Sequence, residues 1–407
     1  MNFIFISPNF PSRYYLFVEA LRRKGVTVLG IGDSPFNDLE SRLVASLSEY
    51  YFVPNLSDRG AMEKAVAYYQ NKYGKIDFLE SNNEWWLEED AYLREKFDIR
   101  SGFFPTQMEH IKAKSAMKEY FQRGGAKTMR YLVVSGKEDE TKAKEFAAKV
   151  GYPLFVKPNI GVGASDSYSL KNEEELVKFF ATPLSEPYIM EEFVNGTIIS
   201  FDGVCNSKGE VVFATSDHFP VPVADVVNDM IDDFYWTNPF SLPMDDIDAP
   251  SFLEVGKKVV KEFGISKRCF HIEFFVLNED KPGLAKKGEF VALECNMRPA
   301  GGYTPDLIDF AESASIYDIY ADVICFDENR EDMNKEKFYS FTSARRDCYN
   351  YLHGEEEILA KYRYQLCMHG RYPKHLSDAM GDSYYYAKFK TKEEGMEFVS
   401  FTHAKAN

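Results

Sequence analysis

Two short stretches decide the interpretation of this chain: His271-Ile-Glu-Phe-Phe-Val276 and Leu293-Glu-Cys-Asn-Met-Arg298. Both are typical of strands, along which side chains alternate between two faces. The alternation predicts a polar face made of His271 and Glu273 on the first strand and of Glu294, Asn296 and Arg298 on the second. The opposite face is predicted to be apolar, with Ile272, Phe274 and Val276 on the first strand and Val291, Leu293, Cys295 and Met297 on the second.

The segment between these stretches predicts that the two strands pair. Asn278-Glu-Asp-Lys-Pro-Gly283 and the Lys-Lys-Gly run that follows are typical of a long hairpin turn. Paired strands would bring two carboxylates and one amide oxygen together on one side. Hard oxygen donors of this kind suit Mg²⁺, which usually binds one or two carboxylates together with substrate phosphates.

The composition is that of an ordinary globular chain. Of 407 residues, 45% are hydrophobic and 28% are charged, which predicts an ordered protein of two or three domains. The 48 basic and 64 acidic residues give a formal charge of -16, which argues against nucleic acid or a membrane surface as a partner. Local lysines could still build a site for a small anion.

We expect neither export nor membrane insertion. The chain begins with the apolar strand Phe3–Ile6 and no basic leader, and no apolar run approaches the roughly 20 residues that span a bilayer. The six cysteines are scattered without a CxxC pair, which favours reduced thiols over a disulfide frame or a zinc site. Together these features predict a cytoplasmic protein.

Strand and helix patterns alternate over the first hundred or so residues, which predicts a parallel sheet with helices on both faces. Ligands of such sheets bind beyond the carboxyl ends of the strands. From Pro105 the pattern changes to a lysine-rich helix, predicted over Met108–Arg123 and ended by Gly124-Gly125. Residues 218–250 are rich in Asp, Pro and aromatic residues and predict a long functional loop.

A lysine and a glycine-rich loop follow one another at the end of a predicted strand. Lys157 belongs to the apolar stretch Leu154–Pro158, and the backbone N–H groups of Asn159–Ser167 could approach phosphate oxygens closely. Alone, such a loop is more often a plain turn, and it is not a P-loop because no Gly-Lys-Ser/Thr follows. Its position after Lys157, which could neutralise phosphate, favours a functional role.

Other segments are ambiguous by themselves. Lys114 would ordinarily be a solvated charge on a helix, and Met190–Gly196 is either an acidic strand terminus or a backbone that contacts an adenine edge. Acidic and aromatic residues of the segment 215–240 could bind an amine; they include Asp217, His218, Asp225, Asp229, Asp232, Asp233, Tyr235 and Trp236. Arg345-Arg346 could bind an anion, although a surface pair is the simpler interpretation.

In chain order these segments resemble the ATP-grasp superfamily, and within it carboxylate–amine ligases such as amino-acid ligases and carbamoyl-phosphate-synthetase-like proteins. The matching positions are Lys114, Lys157, Gly161–Ser165, Glu191–Val194, Glu273 and Glu294-Cys-Asn296. The resemblance implies an α/β fold, with a doubly wound pre-ATP-grasp domain over residues 1–104, a two-lobed α+β ATP-grasp domain over 105–335 and a small C-terminal α+β cap over 336–407. The lid and nucleotide-binding lobe would span 105–195, and the metal and substrate lobe 196–335.

The resemblance also implies ATP as a cofactor and Mg²⁺ as the metal, with Mn²⁺ left as a substitute. The implied metal ligands are Glu273, Glu294 and Asn296. The implied nucleotide-binding residues are Lys114 and Lys157 at the phosphates, Gly161, Gly163, Ala164 and Ser165 in a lid, and Glu191, Glu192, Phe193 and Val194 at adenine. Lys157 and Arg298 would be catalytic, with Arg298 facing the acyl phosphate or the substrate carboxylate.

The activity implied by the resemblance is the ATP-dependent joining of a small carboxylate, such as an amino acid, to an amine through an acyl phosphate. A carboxylase-type ATP-grasp enzyme, a simple kinase and a non-catalytic ATP-binding regulatory protein are left open, and so is a homodimer. The ribose contact is undecided because Thr197-Ile198 is uncharged where many members carry an acidic residue. His271 is either a partner of Glu273 or a hydrogen-bonded residue without a role in the site.

Overall fold

The computed structural model describes residues 1–161, 167–221, 226, 230–244 and 247–406. Its N-terminal sheet is parallel and has the strand order β3-β2-β1-β4. The strands are β1 (Asn2–Ile6), β2 (Thr27–Gly32), β3 (Glu49–Phe52) and β4 (Phe78–Glu80), and the helices are α1 (Tyr15–Arg23), α2 (Ser41–Ser46), α3 (Arg59–Tyr73) and α4 (Leu87–Lys96). Phe3 and Phe5 pack with α1, whereas Ile4 and Ile6 pack with α3. The predicted parallel sheet with helices on both faces is therefore confirmed.

A central sheet contains the two strands that opened the sequence analysis. Its order is β16-β17-β15-β12-β11-β10-β13-β14-β5, and β5 is parallel to β14 whereas the other pairs are antiparallel. The strands are β5 (Lys127–Thr128), β10 (Gly196–Cys205), β11 (Val211–Phe219), β12 (Phe234–Asn238), β13 (Arg268–Leu277), β14 (Phe290–Asn296), β15 (Tyr339–Arg345), β16 (Leu366–Arg371) and β17 (Ser383–Phe389). One face is covered by α6 (Lys114–Arg123) and α9 (Ala249–Glu262), from which Phe121 and Phe252 meet Phe274 edge-on.

A small antiparallel sheet contains the strands on either side of the predicted glycine-rich loop and the strand that leads into the hinge, residues 193–195. Its order is β6-β9-β7-β8. The strands are β6 (Tyr131–Val134), β7 (Leu154–Pro158), β8 (Tyr168–Leu170) and β9 (Tyr188–Glu192), and they pack against α7 (Glu140–Val150) and α8 (Glu173–Ala181). Because β7 and β9 are neighbours, this sheet brings Lys157 and Glu191 to adjacent strands.

The C-terminal region continues the central sheet, because β15 pairs with β12. Its helices are α10 (Thr304–Glu312), α11 (Ile316–Phe326), α12 (Glu355–Lys361), α13 (Lys374–Met380) and α14 (Lys392–His403). The boundaries predicted at residues 104 and 335 stay predictions. Among the described helices, none is long and apolar enough to cross a membrane. The cytoplasmic location likewise stays a prediction.

Two details of the sequence analysis are wrong. Residues 234–238 were predicted to lie in a loop, but they form β12 inside the central sheet. The sequence did not reveal this strand because consecutive aromatic residues on both of its faces hide the period of two. Tyr235 and Trp236 are buried there, as are Asp217 and His218 in β11, so these side chains do not form an open amine-binding surface. Asp225 and Asp229 lie outside the described residues. The pair Arg345-Arg346 is buried rather than exposed, and its guanidinium groups donate to backbone carbonyls.

Candidate active site

The predicted pairing of β13 with β14 is confirmed, and it places Glu273 opposite Glu294 and His271 opposite Asn296. The two carboxylates and the amide therefore lie side by side on one face of the central sheet. The prediction that Val291, Leu293, Cys295 and Met297 share one apolar face is wrong in part. Glu273 pairs with Glu294 but Phe274 pairs with Ala292, so Leu293 forms a β-bulge without a partner residue on β13.

The bulge reverses the alternation upstream of Glu294. Ala292, Cys295 and Met297 point into the core beneath the sheet, whereas Val291 and Leu293 pack on the opposite side with Val194. An apolar surface, made of residues from β14 and from the hinge after β9, consequently adjoins the carboxylates.

His271 is a partner of Glu273, which decides between the two interpretations that the sequence left open. Its Nδ1 lies 2.7 Å from Asp202 Oδ1 and its Nε2 lies 3.2 Å from Glu273 Oε1. Burial alone would lower the pKa of His271, but the two carboxylates raise it to about 10. A charged imidazolium thus donates to both carboxylates and fixes the orientation of Glu273. Burial would raise the pKa of Glu273, and His271 holds it below its usual range.

The lysine-rich helix is divided, and the division positions Lys114. Ala113 has an extended backbone (φ −82°, ψ 113°), so α5 (Met108–Lys112) ends there and α6 begins at Lys114. The Lys114 side chain is only 5% exposed. Its Nζ lies 3.3 Å from Glu294 Oε1 and donates to the Gly161 carbonyl at 3.0 Å. The predicted helix lysine therefore contacts both β14 and Gly161, the first residue of the predicted lid.

Two further lysines surround Glu191. Lys157 Nζ lies 3.2 Å from one carboxylate oxygen of Glu191, and the buried Lys118 contacts the other. Burial would raise the pKa of Glu191, but the two lysines lower it to about 2. Sequence reasoning gave Lys118 no role, although its position four residues after Lys114 places both on one helix face. Three lysines thus converge between the small sheet and β14.

The hinge after β9 offers free backbone groups beside the apolar surface. Glu192 is held by Arg130, whose backbone N and Nε donate to its carboxylate at 2.8 and 2.9 Å. Val194 is buried and Phe193 is partly exposed; neither forms a backbone hydrogen bond to another described residue. Gly163, Ala164 and Ser165 lie outside the described residues, so their predicted contact with phosphate stays a prediction.

Arg298 follows β14, and its guanidinium has one hydrogen bond within the described part of the chain, from Nη1 to its neighbour's carbonyl, Pro299 O, at 2.8 Å. Glu84 reaches the same area from the end of β4. It is 7% exposed, and its Oε2 has no hydrogen-bond partner among the described residues. Burial raises the pKa of Glu84, the charge of Arg298 lowers it and that of Glu294 raises it further. The carboxyl edge of the N-terminal sheet therefore lies near the end of β14, and parallel sheets bind ligands at such an edge.

A buried ion network fixes this meeting of the two sheets. Glu80, the last residue of β4, accepts from Arg94 Nη2 at 2.8 Å and contacts Arg268 of β13. Arg268 Nη1 in turn donates to the Met297 carbonyl at 2.7 Å. The network joins the end of β4 to β13 and to the residue before Arg298.

Comparison with known sequences points to nucleotide-dependent ligases. Residues 112–212 match the family model of the carbamoyl-phosphate synthase L chain, ATP binding domain. The chain is 27% identical over 282 residues to the L-arginine-specific L-amino acid ligase of Bacillus subtilis. The aligned region covers 66% of this chain and 62% of that protein. It is 35% identical over 101 residues to a D-alanine--D-alanine ligase of Flavobacterium johnsoniae, with coverages of 24% and 28%. The alignments thus span less than two thirds of these relatives.

Solved structures match over nearly the whole length. An L-amino acid ligase from Bacillus licheniformis superposes with a TM-score of 0.70 at 14% identity, covering 98% of this chain and 95% of the other. An N5-carboxyaminoimidazole synthetase from Staphylococcus aureus, complexed with ADP, superposes with a TM-score of 0.71 at 13% identity, with coverages of 98% and 96%. The chain has the ATP-grasp fold.

The donor set at this site is compatible with Mg²⁺ if a nucleotide supplies the remaining ligands. Among the described residues, no group of three or more His, Cys, Asp or Glu could hold a metal ion. The predicted set has two carboxylates, Glu273 and Glu294, and the Asn296 amide. Magnesium completes its octahedron with water and substrate phosphates, and the lysines nearby provide the charge that phosphates need. The site is therefore suited to a magnesium–nucleotide complex, in which the phosphates complete the coordination of the metal.

Proposed function

We propose that this protein is an ATP-dependent ligase that joins a small carboxylate, most simply an amino acid, to an amine. One observation carries the proposal: Glu273 lies opposite Glu294, Asn296 ends the same strand, and Lys114 lies 3.3 Å from Glu294. Positive charge for phosphates and oxygen ligands for a metal thus lie close together, and Arg298 follows two residues after Asn296. Sequence relatives named as amino-acid ligases support the class of substrate.

In this proposal the chemistry proceeds in two steps. The carboxylate oxygen of the donor attacks the γ-phosphorus of ATP, the bond to the β-bridging oxygen breaks, and ADP leaves. The amine of the acceptor then forms the C–N bond at the acyl carbon, and phosphate leaves while the amine loses a proton. Activation is needed because a carboxylate is a poor electrophile until one of its oxygens becomes part of a phosphate leaving group.

Each predicted residue receives a role. Lys114 and Lys157 neutralise the phosphates, and Arg298 with Lys157 stabilises the charge that develops during transfer. Glu273, Glu294 and Asn296 would hold Mg²⁺, or Mn²⁺ in its place, and the metal would supply charge neutralisation at the phosphates. Adenine would lie at Glu191–Val194 against Val291 and Leu293, with the Glu192 carboxylate fixed by Arg130. The loop 161–165 would close over the phosphates and exclude water.

The Lys114–Glu294 ion pair must be exchanged when the nucleotide binds. Glu294 would pass to the metal and Lys114 to a phosphate, so that each buried charge keeps a partner of opposite sign. A division into residues 1–104, 105–335 and 336–407, a homodimer and a cytoplasmic location complete the proposal.

The test is ADP release by the purified protein with Mg-ATP and pooled amino acids, followed by mass spectrometry. A Glu294→Ala/Asn296→Ala variant is the control. ADP release that the control lacks, with a new mass equal to two components minus water, is the expected result. Release that needs bicarbonate and gives no condensed product would instead support a carboxylase, and a stable phosphorylated acid would support a kinase.

A further inference from the structure

Asp202 is a buried carboxylate on β10 to which the proposed chemistry gives no role. It lies opposite His271 in the pairing of β10 with β13, and it is almost completely buried. Its Oδ1 lies 2.7 Å from His271 Nδ1, and its Oδ2 accepts from the hydroxyl of Ser200. Because both oxygens are engaged, the carboxylate cannot turn without breaking a buried hydrogen bond. Asp202 therefore fixes the ring of His271 in one orientation.

The hydroxyl of Ser200 is oriented in turn by residues of the next two strands. The backbone N of Asp217 donates to Ser200 Oγ at 3.2 Å, and Thr237 Oγ1 donates to Asp217 Oδ1. A serine has a single O–H donor, and here it is directed at Asp202. Burial and the charge of Asp202 raise the pKa of Asp217 well above its usual range, so Asp217 adds no second charge beside Asp202. A buried chain of hydrogen bonds thus runs from β12 to β10 and ends on His271.

The fixed ring of His271 engages one oxygen of Glu273. His271 Nε2 lies 3.2 Å from Glu273 Oε1, and each ring nitrogen must donate because each faces a carboxylate oxygen. No hydrogen bond from another described residue reaches Glu273 Oε2, and the side chain is 26% exposed. The carboxylate of Glu273 therefore offers a cation one free oxygen rather than two.

The number of free oxygens bears on which cation fits the site. Mg²⁺ demands a near-ideal octahedron, whereas Ca²⁺ takes more ligands in a flexible geometry and often binds both oxygens of one carboxylate. We propose that Asp202, acting through His271, is a positioning residue that restricts Glu273 to one free oxygen and so makes the metal site prefer Mg²⁺ to Ca²⁺. The proposal rests on the proposed function, in which Glu273 holds the metal of the nucleotide.

Calorimetry of nucleotide binding tests this without knowledge of the acid or the amine. ATP is titrated into the protein in excess MgCl₂, in excess CaCl₂ and in EDTA, and the measured quantity is the ratio of the Kd for Ca-ATP to the Kd for Mg-ATP. Wild type is compared with Asp202→Asn, Ser200→Ala, His271→Gln and the double variant D202N/H271Q. The matched control is Asp322→Asn, which neutralises a buried aspartate of α11 whose Oδ1 lies 2.6 Å from Lys24 Nζ.

We expect wild type to bind Mg-ATP more tightly than Ca-ATP. D202N should lower the ratio about 10-fold to 100-fold, as for loss of a group that orients a metal ligand, while the Kd for ATP in EDTA stays the same. S200A should lower the ratio only about 2-fold to 5-fold, because Asp202 keeps its charge and loses one hydrogen bond. D202N/H271Q should match H271Q, because Asp202 acts through His271. D322N should keep the wild-type ratio, since a general loss of stability affects both metals equally.

Four results would overturn the inference. An unchanged ratio in D202N, or in S200A where D202N does not fold, would show that Asp202 does not position Glu273. A full effect of D202N in the H271Q background would show that its charge acts on the metal directly. Equal affinity of wild type for Mg-ATP and Ca-ATP would exclude the preference while leaving the proposed function intact. Failure to bind ATP with either metal would remove the proposed function and, with it, this inference.

Discussion

Glu191 is the carboxylate on which two buried lysines depend, and replacing it gives a sharp test of the site's electrostatics. Lys118 contacts one of its oxygens, and Lys157 Nζ lies 3.2 Å from the other. The substitution Glu191→Gln keeps the shape of the side chain but removes the carboxylate that both buried ammonium groups contact. We expect it to lower stability, and a second substitution, Lys118→Met, to recover part of the loss by removing one of these charges.

The magnitude follows from the pKa of Glu191. Burial would raise it, but Lys118 and Lys157 lower it from 4.5 to about 2. At about 1.36 kcal/mol per pKa unit, this difference corresponds to about 3 kcal/mol of folding free energy. Because the folded-state pKa is the lower one, the contribution is complete above pH 4.5 and is lost as the pH falls towards 2. The free energies of unfolding of wild type and E191Q should therefore converge in acid.

Urea unfolding, followed by tryptophan fluorescence, measures these differences for wild type, E191Q, K118M and the double variant. The two substitutions should be non-additive by about 1 to 3 kcal/mol, as expected for residues in contact. Glu140→Gln is the matched control, because Glu140 pairs with Lys144 on the surface of α7 and its loss should change stability little. Equal stability of E191Q and wild type at pH 7, or strict additivity with K118M, would refute the assignment of Glu191 as the shared counter-ion.

Three further predictions concern single residues. Arg298→Ala should lower turnover about 100-fold to 1000-fold while the Kd for Mg-ATP stays near wild type; a normal rate of ADP release would remove its catalytic role. Lys114→Met should weaken Mg-ATP binding about 10-fold to 100-fold in calorimetry, and unchanged affinity would show that this lysine does not reach phosphate. Gly203→Ala should destabilise the protein by about 1 to 3 kcal/mol, because its Cβ would lie 2.1 Å from Phe213 O; an unchanged melting temperature would contradict this packing.

The sequence was sufficient where local patterns carry the information. Alternation along residues 271–276 and 293–298, with turn residues between them, predicted a pairing that the structure confirms. The parallel N-terminal sheet was also predicted from local patterns, because the spacing of apolar residues differs between a strand and a helix and the two alternate along this part of the chain. The bulge at Leu293 was not predictable, since Val291 and Leu293 are apolar and look equally suited to either face.

Features that depend on neighbours distant in sequence were missed. Glu84 follows a three-residue strand and looks like a solvated acid until Arg298 and Glu294 are placed beside it. Lys118 looks like a surface charge on a lysine-rich helix, and only the approach of Glu191 gives it a buried partner. Likewise, β12 is hidden because its aromatic residues fill both faces of the central sheet.

In the proposed ligase, the bulge in β14 would let one strand contact both the base and the phosphates of a nucleotide. Without the extra residue, strict alternation would separate apolar and anionic side chains onto different faces, and a nucleotide could touch only one set. With it, Val291 and Leu293 share a face with Glu294 and Asn296, so an apolar surface and a polar surface follow one another along roughly 16 Å of backbone. In the proposed complex the base would therefore lie beside Val291 and Leu293, and the phosphates would lie beside Glu294 and Asn296.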